Sequence, residues 1–484
     1  MSVMIPKRKR ITELSVRCFD NNKSCLLYLV KFLYCESISG IIERMYVDNV
    51  QSRVLKNASW IIGCKIAQSV LSLVINMISA RFLGPSNFGL ITYAASIVAF
   101  VVPIMQLGLS KTLVMDLIER PEKEGTVLGT ALTMNIVSAV ACMVAVFGYL
   151  FIVDSNEPTT ILVGVIYSFS LIFQATEMFN YWFQAKLLSK YISIASLIAY
   201  VVVACYKIFL LVTGKSVVWF AVSNSIDFAI ISVILFVIYK KMGNQRLSVS
   251  IKLGKEMLKR SKHYIVSAMM VTIFQQTDRI MLKQILNETE TGYYSAAITC
   301  VGVTSFVFQA IIDSFRPEIL EAKKKQSMNY ESDISMLYSI ITYLALVQCI
   351  VMTICAKPIV LVLYGSKYIN SIVPLQIAVW FSTFSYYGAV RNIWILAENK
   401  QRYLWVINLS GASLNVVLNA LLIPILGASG AASASLITQV FTNVIMGFVI
   451  KPIRYNNKLI YMGLNPKPLF TAINTFIKSK IRRD

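Results

Sequence analysis

The run VVWFAVSNSIDFAIISVILFVIY at 217–239, followed at once by KKMGNQRLSVSIKLGKEMLKRSK at 240–262, decides how this chain is read. The first stretch carries a single charged residue, Asp227. As a helix it is long enough to cross a hydrocarbon core of ~30 Å. The second stretch holds Lys240, Lys241, Arg246, Lys252, Lys255, Lys259, Arg260 and Lys262. An apolar helix delivered into a basic loop is the signature of a membrane span ending on the inner face.

Working outward, comparable apolar runs lie at 57–80, 90–110, 126–153, 161–183 and 191–212 on one side. On the other side they lie at 263–286, 292–314, 335–356, 371–397, 403–425 and 430–450. The expected fold is therefore an all-α polytopic membrane protein of about twelve transmembrane helices. Composition agrees: the 484 residues are 56% hydrophobic and 14% charged, with a mean hydropathy of +0.65, whereas a soluble domain carries about 25% charged residues. Only helices or closed barrels satisfy their backbone polar groups in lipid, and the run lengths select helices.

The distribution of basic residues tests the count. With the N-terminus inside, 37 of the 46 Lys and Arg fall on the inner side. Only Arg81, Lys215, Lys357 and Lys367 fall on the outer side, and Lys65, Lys207, Arg279, Lys283 and Arg391 fall within spans. Connections alternate between poor and rich in positive charge, an alternation that one missed span would scramble. The net charge of +22 thus reflects loops facing the cytoplasm rather than nucleic-acid binding. The piece KPIVLVLYG at 357–365 is too short to span and is expected at the outer interface.

This pattern divides the chain into a cytoplasmic segment 1–56, a six-helix lobe at 57–239, a basic linker at 240–262, a second six-helix lobe at 263–450 and a basic cytoplasmic tail at 451–484. The first segment lacks the form of a secretory signal. Its KRKR and CLLYLVKFLY stretches suit an interfacial helix on an anionic leaflet, unless Met45 is the true start. The halves echo each other: RFLGPSNFGL (81–90) and KQILNETETGY (283–293) share the Leu83/Gly89 and Leu286/Gly292 spacing. Ala94–Ala95 and Ala296–Ala297 follow. With six spans per half this is a parallel repeat, and such transporters bind cargo between the halves; chance likeness of two tight turns is the alternative.

Ionisable residues inside spans cost on the order of 3 kcal/mol or more, so each needs a reason. Here they fall on helical faces. Lys65, Gln68, Ser72, Asn76 and Ser79 form one stripe, and Tyr167, Ser170, Gln174, Glu177, Tyr181 and Gln184 another. Thr272, Gln276, Arg279 and Lys283 form a third with Asp278 beside it, and Trp380, Phe384, Tyr387, Arg391 and Trp394 a fourth. Four stripes imply a shared wet cavity, although Ser, Thr, Asn and Gln taken singly are as well explained by helix–helix hydrogen bonding. The candidate ligand residues are Lys65, Arg279, Lys283, Arg391, Trp380 and Tyr387. Glu177, Asp227 and Asp278 are candidates for coupling to H⁺ or Na⁺, with Asp278–Arg279 as a structural ion pair the competing reading. A net cationic cavity suits phosphate. No GxxxxGK[ST] loop is present, the nine cysteines form no CxxC pair, and His263 is the only histidine. Cofactors, metal sites and nucleophile–histidine pairs are therefore not expected, nor are catalytic residues.

LKNASWIIGCKIAQSVLSLVINMISARFLGPSNFGLITYAAS (55–96), QQTDRIMLKQILNETETGYYSAA (275–297) and LLIPILGASGAASASLITQ (421–439) resemble the first hairpin, seventh-span motif and penultimate hairpin of Wzx-type bacterial polysaccharide flippases. These belong to the multidrug/oligosaccharidyl-lipid/polysaccharide exporter (MOP) superfamily. The resemblance covers residues 50–450, with twelve spans here where many members have fourteen. It implies two six-helix lobes around a central cationic cavity that opens alternately to each side. It further implies an undecaprenyl-pyrophosphate-linked oligosaccharide as cargo, with glycosyltransferases and a polymerase of the same pathway as partners. By position, Lys65 and Arg391 would face the pyrophosphate or an acidic sugar, and Arg279 and Lys283 would serve the outward-facing state. The rivals are a same-fold exporter of a drug or a peptidoglycan precursor, a membrane polymerase or acyltransferase, and a non-catalytic scaffold.

Overall fold

The computed structural model describes Gln68, residues 71–243 and residues 245–466. Its ends are called inner and outer after the charge asymmetry above. The first two spans, α1 (71–83) and α2 (85–105), meet at Gly84, whose φ of +74° admits a glycine without strain. Pro85 follows, where a missing N–H is harmless at a helix start. The predicted outer loop 81–89 is therefore mostly helix. Next come α3 (Glu124–Val153), α4 (Pro158–Ala185), α5 (Ser189–Val212) and α6 (Val217–Met242).

The second lobe comprises α7 (Ile251–Ile285), α8 (Glu288–Lys324), α9 (Tyr330–Ile354) and α10 (Ile372–Ala397). It ends with α11 (404–426) and α12 (428–449), again joined through one positive-φ glycine, Gly427 at +57°. Eight helical runs among the described residues are apolar and long enough to span. Two of them, Leu71–Met105 and Gln401–Val449, fold back at these glycines and hold two spans each. The more polar α7 and α10 complete the twelve. The piece at 357–365 forms a short outer helix, Ala356–Leu363.

Lipid tails are as apolar as leucine, so the lobes are held by close packing and interhelical hydrogen bonds rather than by exclusion of water. In the first lobe Leu128, Phe179, Trp182 and Tyr239 form one buried cluster. In the second, Ile334, Tyr338, Val390 and Trp394 do the same. The small residues of the α12 start matter here: Ala428, Ala431 and Ala432 are buried against Leu282 and Tyr294, drawing α12 onto α7 and α8.

Between α6 and α7, Gly243 and residues 245–250 are non-helical. They are tied to α3 by Gly125 N donating to Gln245 Oε1 (2.9 Å) and Ser250 N donating to Thr130 Oγ1 (3.0 Å). Ser250 caps α7, accepting from Leu253 N. The basic residues from Lys252 to Lys262 thus lie on the inner end of α7 itself. A further short helix, Arg454–Gly463, covers α9, with the Tyr338 hydroxyl donating to Asn456 Oδ1 (2.9 Å).

Candidate functional site

The second lobe carries a half-open cavity of about 650 Å³ bordered by α7, α8, α10, α11 and α12. Arg391 on α10 reaches it 4% exposed. Its Nη1 donates to the Thr442 carbonyl (2.5 Å) and its Nη2 to Asn392 Oδ1 (3.4 Å), while Nε finds no partner among the described residues. Thr442 sits in a π-helical turn, Phe441–Ile445, where the regular ladder is loosened and a carbonyl is turned toward the guanidinium. No carboxylate lies within 4 Å of Arg391 among the described residues. Arg279 borders the same cavity and is held by neutral groups only, Ser295 Oγ (3.2 Å) and Gln276 Oε1 (3.2 Å). Two guanidinium groups, Arg391 buried and Arg279 half-buried, thus border one cavity with donors to spare among the described residues, an arrangement that invites an anion.

Asp278 lies at the edge of this cavity but does not pair with Arg279. Successive helical residues point about 100° apart, and the Asp278 carboxylate turns into the lobe. There it accepts from the Tyr294 hydroxyl, from Asn419 Nδ2 (2.7 Å) and from Ser435 Oγ (2.5 Å). Asn419 also donates to Asn415, and its own Oδ1 has no partner among the described residues. This is a buried carboxylate satisfied by neutral donors, beside a free carbonyl oxygen.

Lys283 is placed differently from the two arginines. It is 4% exposed and bridges to Asp154 Oδ1 (2.6 Å) and Glu157 Oε2 (2.7 Å) at the outer ends of α3 and α4. Tyr93 Oη donates to the other oxygen of Asp154 (2.8 Å), and Gln284 donates to both Asp154 and Tyr93. Burial would raise the Glu157 carboxyl, but hydrogen bonds from Lys283 and Thr160 outweigh it and hold the group below its ordinary value. Lys283 therefore serves a bridge between the lobes.

The same end is closed by backbone contact. A Cβ on Gly89 would strike the Glu288 carbonyl, and one on Gly292 would strike the Pro85 carbonyl. Ser86 donates to Glu288 (3.2 Å) and Ser295 to Thr92 (3.0 Å) beside them. The two glycines of the sequence repeat are thus each other's neighbours across the seam.

The remaining candidates are dispersed. Tyr387 packs in the core of the second lobe, hydrogen-bonded to Thr342, and Trp380 is 41% exposed on the outside of α10; neither borders the cavity. Glu177, at an irregular turn of α4, accepts weakly from Gln106 (3.4 Å). Asp227 has an oxygen without a hydrogen-bond partner and interacts electrostatically with Lys207, which donates to Asn76 (3.5 Å). Lys65 lies outside the described residues, as does the proposed interfacial segment.

A sequence profile described as polysaccharide biosynthesis protein matches residues 54–322, more than half of the chain. The chain belongs to that family. Among solved structures, this polysaccharide biosynthesis protein is similar to the lipid II flippase MurJ in an inward closed conformation, with a TM-score of 0.63 at 14% identity. That match covers 84% of this chain and 90% of the other. It is also similar to an inward-facing multidrug resistance MATE transporter of the MOP superfamily (TM-score 0.60, 11% identity, 82% and 95% covered). A third likeness is to a MOP superfamily transporter from Pyrococcus furiosus, described by a reverse polarity of its binding pocket (0.56, 11%, 84% and 95%). At these identities the likeness establishes the fold alone, a multi-pass helical fold shared with those proteins. No curated protein sequence matches the chain.

Sequence reading missed Asp154, Glu157, Tyr93, Asn419 and Ser435. Asn415 and Asn419, four apart in an apolar span, were a legible signal for a polar face. The acids at the outer turn 154–157 gained meaning only opposite Lys283.

Proposed function

We propose that this protein is a flippase that moves an undecaprenyl-pyrophosphate-linked oligosaccharide repeat unit across the bacterial cytoplasmic membrane for O-antigen, capsule or exopolysaccharide assembly. The termini face the cytoplasm, and glycosyltransferases and the polymerase of the pathway act before and after it. The observation that carries the reading is Arg391, buried and, among the described residues, with an unpartnered Nε and no carboxylate beside it, sharing a cavity with Arg279. A pyrophosphate would satisfy both, whereas a cationic drug would be repelled.

Family membership supports the pathway, and the sealed outer end supports alternating access, since cargo entering from the inner side meets a closed exit. Asp278, among the described residues buried without a cationic partner and next to the unpartnered Asn419 Oδ1, is the group we assign to H⁺ or Na⁺ coupling. The test is a strain deleted for the gene. Lipid-linked repeat units trapped on the cytoplasmic face with loss of surface polysaccharide, reproduced by Arg391→Ala at normal protein level, are expected. Unchanged surface polysaccharide with no trapped intermediate would reject this cargo and direct attention to a peptidoglycan precursor.

A further inference from the structure

A second recess, about 580 Å³, opens on the outer half of the seam between the lobes. Val74, Ile78 and Phe82 of α1, Leu211 at the end of α5, and Val362 and Leu363 of the short outer helix form its apolar wall. Apolar wall facing lipid is ordinary in a membrane protein. What distinguishes this one is Arg81, which also borders the recess, at its outer rim. Its guanidinium makes one long hydrogen bond, Nη1 to the Val362 carbonyl at 3.4 Å. Among the described residues no carboxylate lies within 4 Å of it.

The outer acids are engaged elsewhere. Asp154 and Glu157 hold Lys283, Glu288 accepts from Ser86, and Glu290 accepts from the Ala428 N–H at the start of α12. An arginine fork with free donors at headgroup level, above an apolar trough, matches one lipid with a phosphate head: the chain in the trough, the phosphate on the fork. The recess also lies where α1 meets 356–368, one of the boundaries between the lobes and one that faces the bilayer sideways. Among the described residues two polar contacts cross it: Arg81 to Val362, and the Tyr368 hydroxyl to the Ala80 carbonyl (2.8 Å).

We propose that this recess is the outer-leaflet exit site for the cargo's lipid carrier, holding the first isoprene units in the trough and the polyprenyl phosphate on Arg81. The assignment rests on the flippase reading above.

The test uses the full-length protein in phosphatidylcholine nanodiscs with a photoreactive undecaprenyl phosphate that bears no sugar, and maps adducts by mass spectrometry. Adducts are expected on the peptides around 71–83 and 356–365. Arg81→Ala should lower their yield about tenfold, the scale of one lost charge-assisted contact, and Arg81→Lys should recover part of it. Val74→Trp, which fills the trough and leaves the guanidinium in place, should lower the yield as well; thermal stability of each variant monitors folding. Equal yields in wild type, Arg81→Ala and Val74→Trp would overturn the site. Phosphatidylglycerol competing as well as the polyprenyl phosphate would overturn the carrier assignment and leave a general anionic-lipid contact. Because the probe has no sugar, these outcomes are separate from the deletion strain, which alone decides whether oligosaccharide is flipped.

Discussion

Lys283→Ala tests the outer seal most directly. The side chains of Lys283 and Asp154 are 4% and 1% exposed, and Glu157 is 46% exposed. Removing one member of a buried pair typically costs about 3–5 kcal/mol, because the remaining charge is stranded. Asp154 would keep its hydrogen bonds from Tyr93 and Gln284, and Glu157 would turn to water, so the lower end, about 3 kcal/mol, is the appropriate figure. That cost falls on the outer-closed state alone, since in the open state water solvates Asp154. A bias of about 3 kcal/mol is roughly a hundredfold shift in the equilibrium toward opening. The assay is the rate at which a membrane-impermeant maleimide labels Thr92→Cys from outside in intact cells. Thr92 lies in the closed seam, bonded to Ser295, and the parent carries the same cysteine. Labelling should rise at least tenfold with Lys283→Ala and fall back when Lys283→Asp is combined with Asp154→Lys. An unchanged rate at normal expression would refute the reasoning and mean that glycine packing alone holds the seal shut.

Gly292→Leu should prevent closure, because its Cβ would fall on the Pro85 backbone, which cannot swing aside; outside labelling should stay high and polysaccharide export should be lost. Asp278→Asn should keep the fold, since hydroxyls at Ser435 and Tyr294 can reverse, while vesicle transport loses its dependence on an ion gradient. Asp278→Leu should instead lower thermal stability by about 3 kcal/mol or more, leaving Asn419, Ser435 and Tyr294 unpaired in the interior. The pH response follows from Glu157. Its folded carboxyl lies below the ordinary value, so its contribution to the seal is fully present above the usual glutamate range of about 4.3 and is lost as pH falls through the lowered folded value. Labelling of Thr92→Cys should therefore be flat from pH 8 to about 5.5, and an increase within that window would reject the Glu157–Lys283 contribution.

The lobes were legible because the bilayer imposes a length on every crossing and a charge bias on every loop. VVWFAVSNSIDFAIISVILFVIY followed by a basic stretch states both constraints in one place. The inner part of α7 was less legible: Ile251–Lys262 carries the charges of a loop, yet Ser250 caps it and Asp116 engages Arg260, so it continues as helix along the first lobe. Arg391 and Arg279 were legible as charges within spans, and the structure places both at one cavity. Tyr387 and Trp380 shared their face by periodicity, but periodicity does not say whether a face meets a cavity, a core or lipid.

By itself the sequence determined the all-α multi-pass class, about twelve spans, and the presence of cations within them. These follow from local chain properties: hydropathy over about twenty residues, helical spacing and loop charge. Tertiary structure alone decided what each charge does. Lys283 is neutralised by Asp154 and Glu157, which lie well over a hundred positions away; Asp278 is satisfied by α8, α11 and α12; Arg391 is left with donors to spare. Partnership of buried charges depends on which helices pack side by side, and that is set by interhelical packing rather than by any stretch of sequence read alone.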